Sequence, residues 1–228
     1  MSAIYDWSVL ALRNVYDRRI QGKPVLDSAA LFPDAERFTA QWRQIREEAL
    51  TVAHDLHNIP RFHEIMIQQE SISANDARDW HMFIMKAYGQ PIARNLARCP
   101  TLAALIASSP DVLSAALFFL APGKEGAPHR GPFRGILRGY LVLDMPKRTD
   151  GAPAAVLKVD GREYRLHEGE FMLWDDTFEH EVWNDSPQVR TVLLLDIRRR
   201  DMPGGLRLLS SAIIALVLLN VRWMQKQF

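Results

Sequence analysis

Pro128-His129-Arg130-Gly131-Pro132 and, further along, Asp175-Asp176-Thr177-Phe178-Glu179-His180-Glu181-Val182-Trp183-Asn184 are the two ends of the stretch that decides the fold. The first lies in a turn-rich segment between apolar runs, which places His129 at a strand end or on a loop facing a cavity. The second presents His180 at the start of a strand-like alternation. Histidines this far apart in sequence meet only if strands bring them together, and a neutral imidazole suits ferrous iron as a ligand. Arg190 falls in the apolar run Val189 to Ile197, and Arg138 interrupts another, Ile136 to Leu143. A guanidinium in such a strand is costly unless paired, so each calls for an anion. Either an internal Asp or Glu or a bound dicarboxylate meets that need, and spacing alone leaves both open, the internal pair being the commoner.

The stretch resembles the aspartyl/asparaginyl β-hydroxylase family, and more closely its bacterial branch of lipid A and ornithine-lipid hydroxylases. The residues that carry the likeness are Pro122-Gly123, Pro128 to Pro132, Leu137-Arg138, Glu168-Gly169-Glu170, Asp175 to Asn184, Arg190 and Asp196. Upstream it extends through Pro24 to Asp27, Phe32-Pro33, Trp42, Ile45, Glu47 to Leu50, Trp80, Phe83 and Cys99-Pro100-Thr101, so it covers roughly residues 24 to 200. The resemblance implies a double-stranded β-helix of jelly-roll or cupin type; together with the helices that the chain's own apolar patterns suggest at either end, the expectation is a mainly β fold with flanking helices, N-terminal ones and a C-terminal apolar one. It also implies that His129 and His180 bind Fe(II), that Arg190 grips the distal carboxylate of 2-oxoglutarate, and that Arg138 and Trp80 complete the cosubstrate pocket. Dioxygen is the other cosubstrate, and succinate and CO2 are released. Relatives outside the family add a carboxylate two residues after the first histidine. Gly131 stands there, so the likeness implies no third protein ligand.

Two positions depart from the family pattern. Tyr140 replaces a histidine two residues beyond the strand arginine, and Phe118 replaces a cosubstrate-binding serine. Tyr140 keeps a hydroxyl donor for the cosubstrate pocket, and Phe118 has none. Asp175 and Asp176 are competing ligand candidates; the reading preferred is that one of them bonds His180 and orients its ring.

With 228 residues, 48% of them hydrophobic, the chain suffices for one sizeable core. Lys+Arg 28 against Asp+Glu 27 leaves a net charge of +1, which supplies no footprint for nucleic acid. Cys99 is the one cysteine, so no internal disulfide forms, in keeping with a reducing compartment. Asp6, Arg13 and Asp17 to Arg19 interrupt any secretory h-region. The expected organisation is an N-terminal amphipathic helix over 1–23, the β-helix domain over 24–203 and an apolar helix over 204–228.

Tyr5, Val9, Leu12 and Tyr16 form the stripe of the first helix. Phe32-Pro33-Asp34 opens a second, running to Leu50 or His54 with Phe38, Trp42, Ile45 and Ala49 on its buried side. His54, His57 and His63 lack the partners of a zinc pattern and read as a polar segment. From Pro60 to Asn75 no period survives, and Ser71 to Asp76 reads as a mobile loop of the kind that forms lids. Pro91 to Ala97 and Pro100 to Ser108 read as helices, and Asp160-Gly161 as a type I′ hairpin turn. Leu208 to Val221 has no charged residue and is flanked by Arg198 to Arg200, Arg207, Arg222 and Lys226. As a helix it spans about 21 Å, short of a hydrocarbon layer of about 30 Å.

The expectation is therefore an Fe(II)- and 2-oxoglutarate-dependent hydroxylase acting on the acyl chain of a membrane lipid. It is cytoplasmic and associates with the inner membrane face through residues 206–221. Hydroxylation of an aspartyl or asparaginyl side chain is the alternative within the enzyme class. A non-catalytic β-helix module that binds a small dicarboxylate is the alternative outside it.

Overall fold

The computed structural model describes residues 2–225; the side chains of residues 2–6, 8, 68, 220 and 222–225 lie outside the described residues, and with them Tyr5, Arg222 and Lys226. Among the described residues eleven strands are seen: β1 (Val25–Leu26), β2 (Trp80–Ala87), β3 (Gln90–Pro91), β4 (Val112–Leu120), β5 (Glu125–His129), β6 (Ile136–Asp144), β7 (Ala155–Val159), β8 (Arg162–Tyr164), β9 (Phe171–Trp174), β10 (His180–Asn184) and β11 (Arg190–Arg198). They form one sheet in the order β1-β9-β6-β11-β4-β2-β3 and another in the order β5-β10-β7-β8. From β4 onward the chain passes from sheet to sheet, apart from the β7–β8 hairpin. That alternation is the winding of a double-stranded β-helix.

The long strands are apolar on both faces because both faces are covered. Outward-facing Leu117, Phe119, Leu141, Leu193 and Leu195 pack with Ile45, Ala49 and Val52 of the helix Trp42–Ala53 and with Leu102 and Leu105 of the helix Pro100–Ala107. Inward-facing Ala116, Phe118, Tyr140, Val142 and Val192 meet Leu157 and Val159 of the smaller sheet. Period two thus separates a helix-bearing layer from the interior of the barrel. The second helix is not continuous as its stripe suggests: Gln41, at φ −110 and ψ 17, breaks it into Ala35–Ala40 and Trp42–Ala53. Phe38, Ile45 and Ala49 are nevertheless all fully buried, so the two pieces share one apolar face.

The aperiodic segment from Pro60 contains one-turn helices, among them Phe62–Ile65 and Glu70–Ser73, and the part read as a mobile loop, Ser71 to Asp76, begins within the last of these and continues as turn and bend. It is tied down by Lys124, a wholly buried ammonium that donates to Ser73 O (2.5 Å), Asn75 Oδ1 (2.7 Å) and Asp76 Oδ1 (2.6 Å). Single turns leave too few residues for a period to show, which is why sequence reading misses them. Pro91 closes β3, and the helix after it covers only Ala93–Leu96.

Asp160 and Gly161 both have positive φ (49° and 78°), and the register Val159↔Arg162 makes this the expected two-residue turn. Tyr88 and Gly89 (φ 46° and 90°) close the β2–β3 hairpin in the same way, with a residue that carries a strain cost of about 1–2 kcal/mol there.

The helix Ser2–Asp17 lies against the helix Gly204–Gln225: Tyr16 hydroxyl and Ser210 Oγ are 2.7 Å apart, and Leu206 and Ile214 share a buried cluster with Tyr16 and Phe133. The long helix keeps Leu208, Leu216 and Leu219 exposed elsewhere on its surface. Among the described residues no helix is long and apolar enough to cross a membrane.

Candidate active site

His129 ends β5 and His180 begins β10, and these neighbouring strands pair antiparallel with His180 opposite His129. Their ring centroids are 4.0 Å apart and inclined at 58°. In each ring Nδ1 meets the carbonyl two residues earlier, Ala127 O at 2.7 Å for His129 and Phe178 O at 2.9 Å for His180. A carbonyl only accepts, so the proton sits on Nδ1 and Nε2 is left with a lone pair. Burial lowers both pKa values, that of His180 to about 3 with a further contribution from His129. Two neutral imidazoles therefore bring two free lone pairs to one cavity of about 210 Å³.

Neither acid of the Asp175-Asp176 pair orients His180, contrary to the sequence expectation. Asp175 is buried between Arg134 Nε (2.7 Å) and Arg199 Nη1 (2.6 Å), and also accepts from the Thr177 hydroxyl. Asp176 accepts from Arg138 Nε at 2.8 Å. Buried guanidiniums draw these carboxylates because an unpaired charge is the costlier state. The imidazoles are held locally by backbone instead. Arg134 and Arg199, neither singled out in the sequence, clamp Asp175, which lies outside the cavity lining; their spacing from it (41 and 24 residues) gives no local signal.

A Cβ on Gly131 would lie 2.2 Å from the Asp176 carboxylate, so that carboxylate fills the space a side chain at 131 would take. Its oxygen is committed to Arg138, and among the described residues no group of three His, Cys, Asp or Glu side chains is gathered as a metal site. The donor set is two imidazoles.

The two strand arginines differ. Arg138 bonds both Asp176 and Asp196, so the internal partner wins there. Arg190, only 2% exposed, has no carboxylate paired with it among the described residues, and its Nε has no hydrogen-bond partner. Its guanidinium lies 5.5 Å from the centre of the Tyr140 ring, and burial pushes its pKa down. A buried cation left uncompensated costs several kcal/mol. Such a site awaits an anion.

The remaining predicted residues line the same cavity. Trp80 stacks on Phe62 at 4.8 Å and inclines to Phe118 at 5.8 Å. Trp174, missed in the sequence, stands edge-on to His180 at 4.5 Å. The indole nitrogens of Trp80 and Trp174 are both buried without a partner. Arg190 Nε is the third such nitrogen among the residues that line this cavity. His57 and His63 bond Asn58 and Ser73 separately and take no part.

A model of the aspartyl/asparaginyl β-hydroxylase family matches residues 39–200. An ornithine lipid ester-linked acyl 2-hydroxylase of Rhizobium tropici is 31% identical over 175 residues, covering 77% of this chain and 60% of that protein. The aspartyl/asparaginyl β-hydroxylase of Homo sapiens is 24% identical over 176 residues, covering 72% of this chain and 22% of that one. The chain thus spans less than two thirds of either relative. A solved Pseudomonas putida prolyl-4-hydroxylase overlays with a TM-score of 0.41 at 18% identity, over 70% of this chain and 88% of its own.

Proposed function

The chain belongs to the aspartyl/asparaginyl β-hydroxylase family, and from that premise we propose that it is an Fe(II)- and 2-oxoglutarate-dependent hydroxylase of a membrane-lipid acyl chain. The observation that carries the cosubstrate is Arg190, a buried guanidinium without a counter-ion in the cavity that holds the paired imidazoles. His129 and His180 would hold the metal through Nε2, the nitrogen that their backbone bonds leave free. When bound, the iron with 2-oxoglutarate and dioxygen supplies the oxidation that yields succinate, CO2 and a hydroxylated carbon.

The protein's own part is placement and exclusion of water. Arg190 takes the distal carboxylate through its planar fork, with the Tyr140 ring behind it. Trp80 and Phe118 wall the pocket and keep it dry. Arg138 borders the same space, and through Asp176 it braces the segment that carries His180.

An acyl substrate is favoured by the apolar lining from Phe62, Met66, Met82 and Ile84, and by the activity named for the Rhizobium tropici relative. The exposed leucines of the helix Gly204–Gln225, next to exposed Arg207, would rest on an anionic lipid surface at the inner membrane face. The second reading, an aspartyl or asparaginyl side chain, takes its support from the human relative. A dicarboxylate-binding module without turnover is the reading outside catalysis.

Anaerobic titration with Fe(II) and then 2-oxoglutarate is expected to raise a metal-to-ligand charge-transfer band, followed by succinate once oxygen is admitted. Binding without succinate leaves the module, and no band ends the proposal. His180→Ala is expected to lose both iron and turnover. Mass spectrometry of total lipids from cells with and without the protein should reveal a species heavier by one oxygen; a modified peptide in its place selects the second reading.

A further inference from the structure

The inner face of β2 presents Trp80, Met82, Ile84 and Lys86 to the cavity, so an apolar wall ends in an ammonium. Lys86 is half-buried, and its Nζ donates to Val112 O at 2.7 Å. Among the described residues no carboxylate pairs with it and no acceptor takes its other two protons. Asp196, the carboxylate in the wall of the same cavity, is engaged by Arg138. Burial alone lowers the pKa of Lys86, which is the response of a cation kept from water without a counter-charge.

Ser114 lines the cavity from the adjacent strand β4. Its Oγ accepts from Tyr88 N at 3.1 Å, and among the described residues nothing accepts its own proton. Tyr88 is the residue held at φ 46° in the β2–β3 turn. Backbone strain of this kind persists where surrounding structure enforces it, and it collects at ligand sites. Here it sets the end of the cavity at which Lys86 and Ser114 leave donors unused.

We propose that Lys86 and the Ser114 hydroxyl form an oxyanion subsite at this end of the cavity, for a carboxylate or phosphate borne by a substrate with an apolar chain. The subsite is separate from Arg190, which serves the cosubstrate. Met82 and Ile84 adjoin it on β2 and offer the chain its apolar contact. The identity of the occupant as substrate rests on the hydroxylase reading given above, and the two are separable by measurement.

The test follows quenching of tryptophan fluorescence in the full chain, with 2-oxoglutarate at saturation so that Arg190 is already engaged, on addition of decanoate, decyl phosphate or decanol. The wild type is expected to bind one or both anions at least about tenfold more tightly than the alcohol, as a charge-assisted hydrogen bond implies. Lys86→Met should erase that preference while leaving decanol unchanged, and Lys86→Arg should restore most of it. Whichever anion binds more tightly identifies the group as carboxylate or phosphate. Equal binding of all three probes by the wild type overturns the subsite, and so does a preference that survives Lys86→Met. Anaerobic 2-oxoglutarate affinity is expected to be unchanged in Lys86→Met; a fall of about tenfold or more would assign Lys86 to the cosubstrate and also overturn it. Anion preference in a protein that binds no 2-oxoglutarate leaves the subsite standing and removes the hydroxylase reading.

Discussion

Arg138 and Arg190 lie on adjacent strands of one sheet, interrupt equally apolar runs and border one cavity, yet they have opposite surroundings. Arg138 is closed by two carboxylates, Asp176 and Asp196, the latter directly opposite it across the β6–β11 pair. Arg190 is flanked by an aromatic face and has an unmet Nε. A cation whose anion is built into the protein is a strut, whereas one whose anion is left out is, on the function proposed above, a receptor. The difference lies in the partners each strand position finds.

Three experiments bear on that contrast, and a fourth on the core beneath it. Arg138→Met is expected to have the largest effect, about 3–5 kcal/mol of lost stability in urea unfolding, because it leaves Asp176 and Asp196 without their cation. Burial already raises the pKa of Asp176, and removing Arg138 raises it further. A carboxylate with a raised folded pKa destabilises most when ionised, so the deficit should shrink as the pH falls toward about 4. A deficit that is independent of pH would deny that Asp176 causes it.

Arg190→Met should do the reverse. Loss of about 2–4 kcal/mol in 2-oxoglutarate affinity is expected, roughly thirty- to a thousand-fold by calorimetry, with stability equal to or above the wild type. Marked destabilisation with affinity intact would make Arg190 a strut as well. Next in size, 2-oxoglutarate at about 100 times its Kd should add about 2.7 kcal/mol to the wild type and nothing to Arg190→Met. The smallest effect is at Cys99, which is fully buried with its pKa pushed up to about 12, chiefly by burial. Iodoacetamide at about pH 8 should leave it unlabelled in the folded protein.

Individual elements were legible because their signals are local: continuous apolar runs in the strands, Asp160-Gly161 at a hairpin and Pro100 at a helix start each report on their own neighbourhood, whereas the winding of those strands into a double-stranded β-helix was legible only through the family resemblance. The meeting of His129 and His180 was legible only through the family resemblance. The sequence did not disclose which arginine is satisfied, since Asp196 reaches Arg138 across 58 residues through strand register. Asp175 misled for the same reason, because its partners Arg134 and Arg199 lie on other segments. The break at Gln41 leaves the apolar stripe of its helix intact, so periodicity passes over it. Tyr88 escaped because Tyr-Gly is not a residue pair that advertises a type I′ turn.

The contact between Gly131 and the Asp176 carboxylate restricts how this lineage can change. Installing an acidic residue at 131 by one substitution would drive it into an oxygen already in place, so the mutant meets a collision before it gains a ligand. Clearing Asp176 first strips Arg138 of one of its partners. On the function proposed above, a third ligand at 131 therefore takes two coordinated substitutions rather than one, for evolution and for an engineer alike.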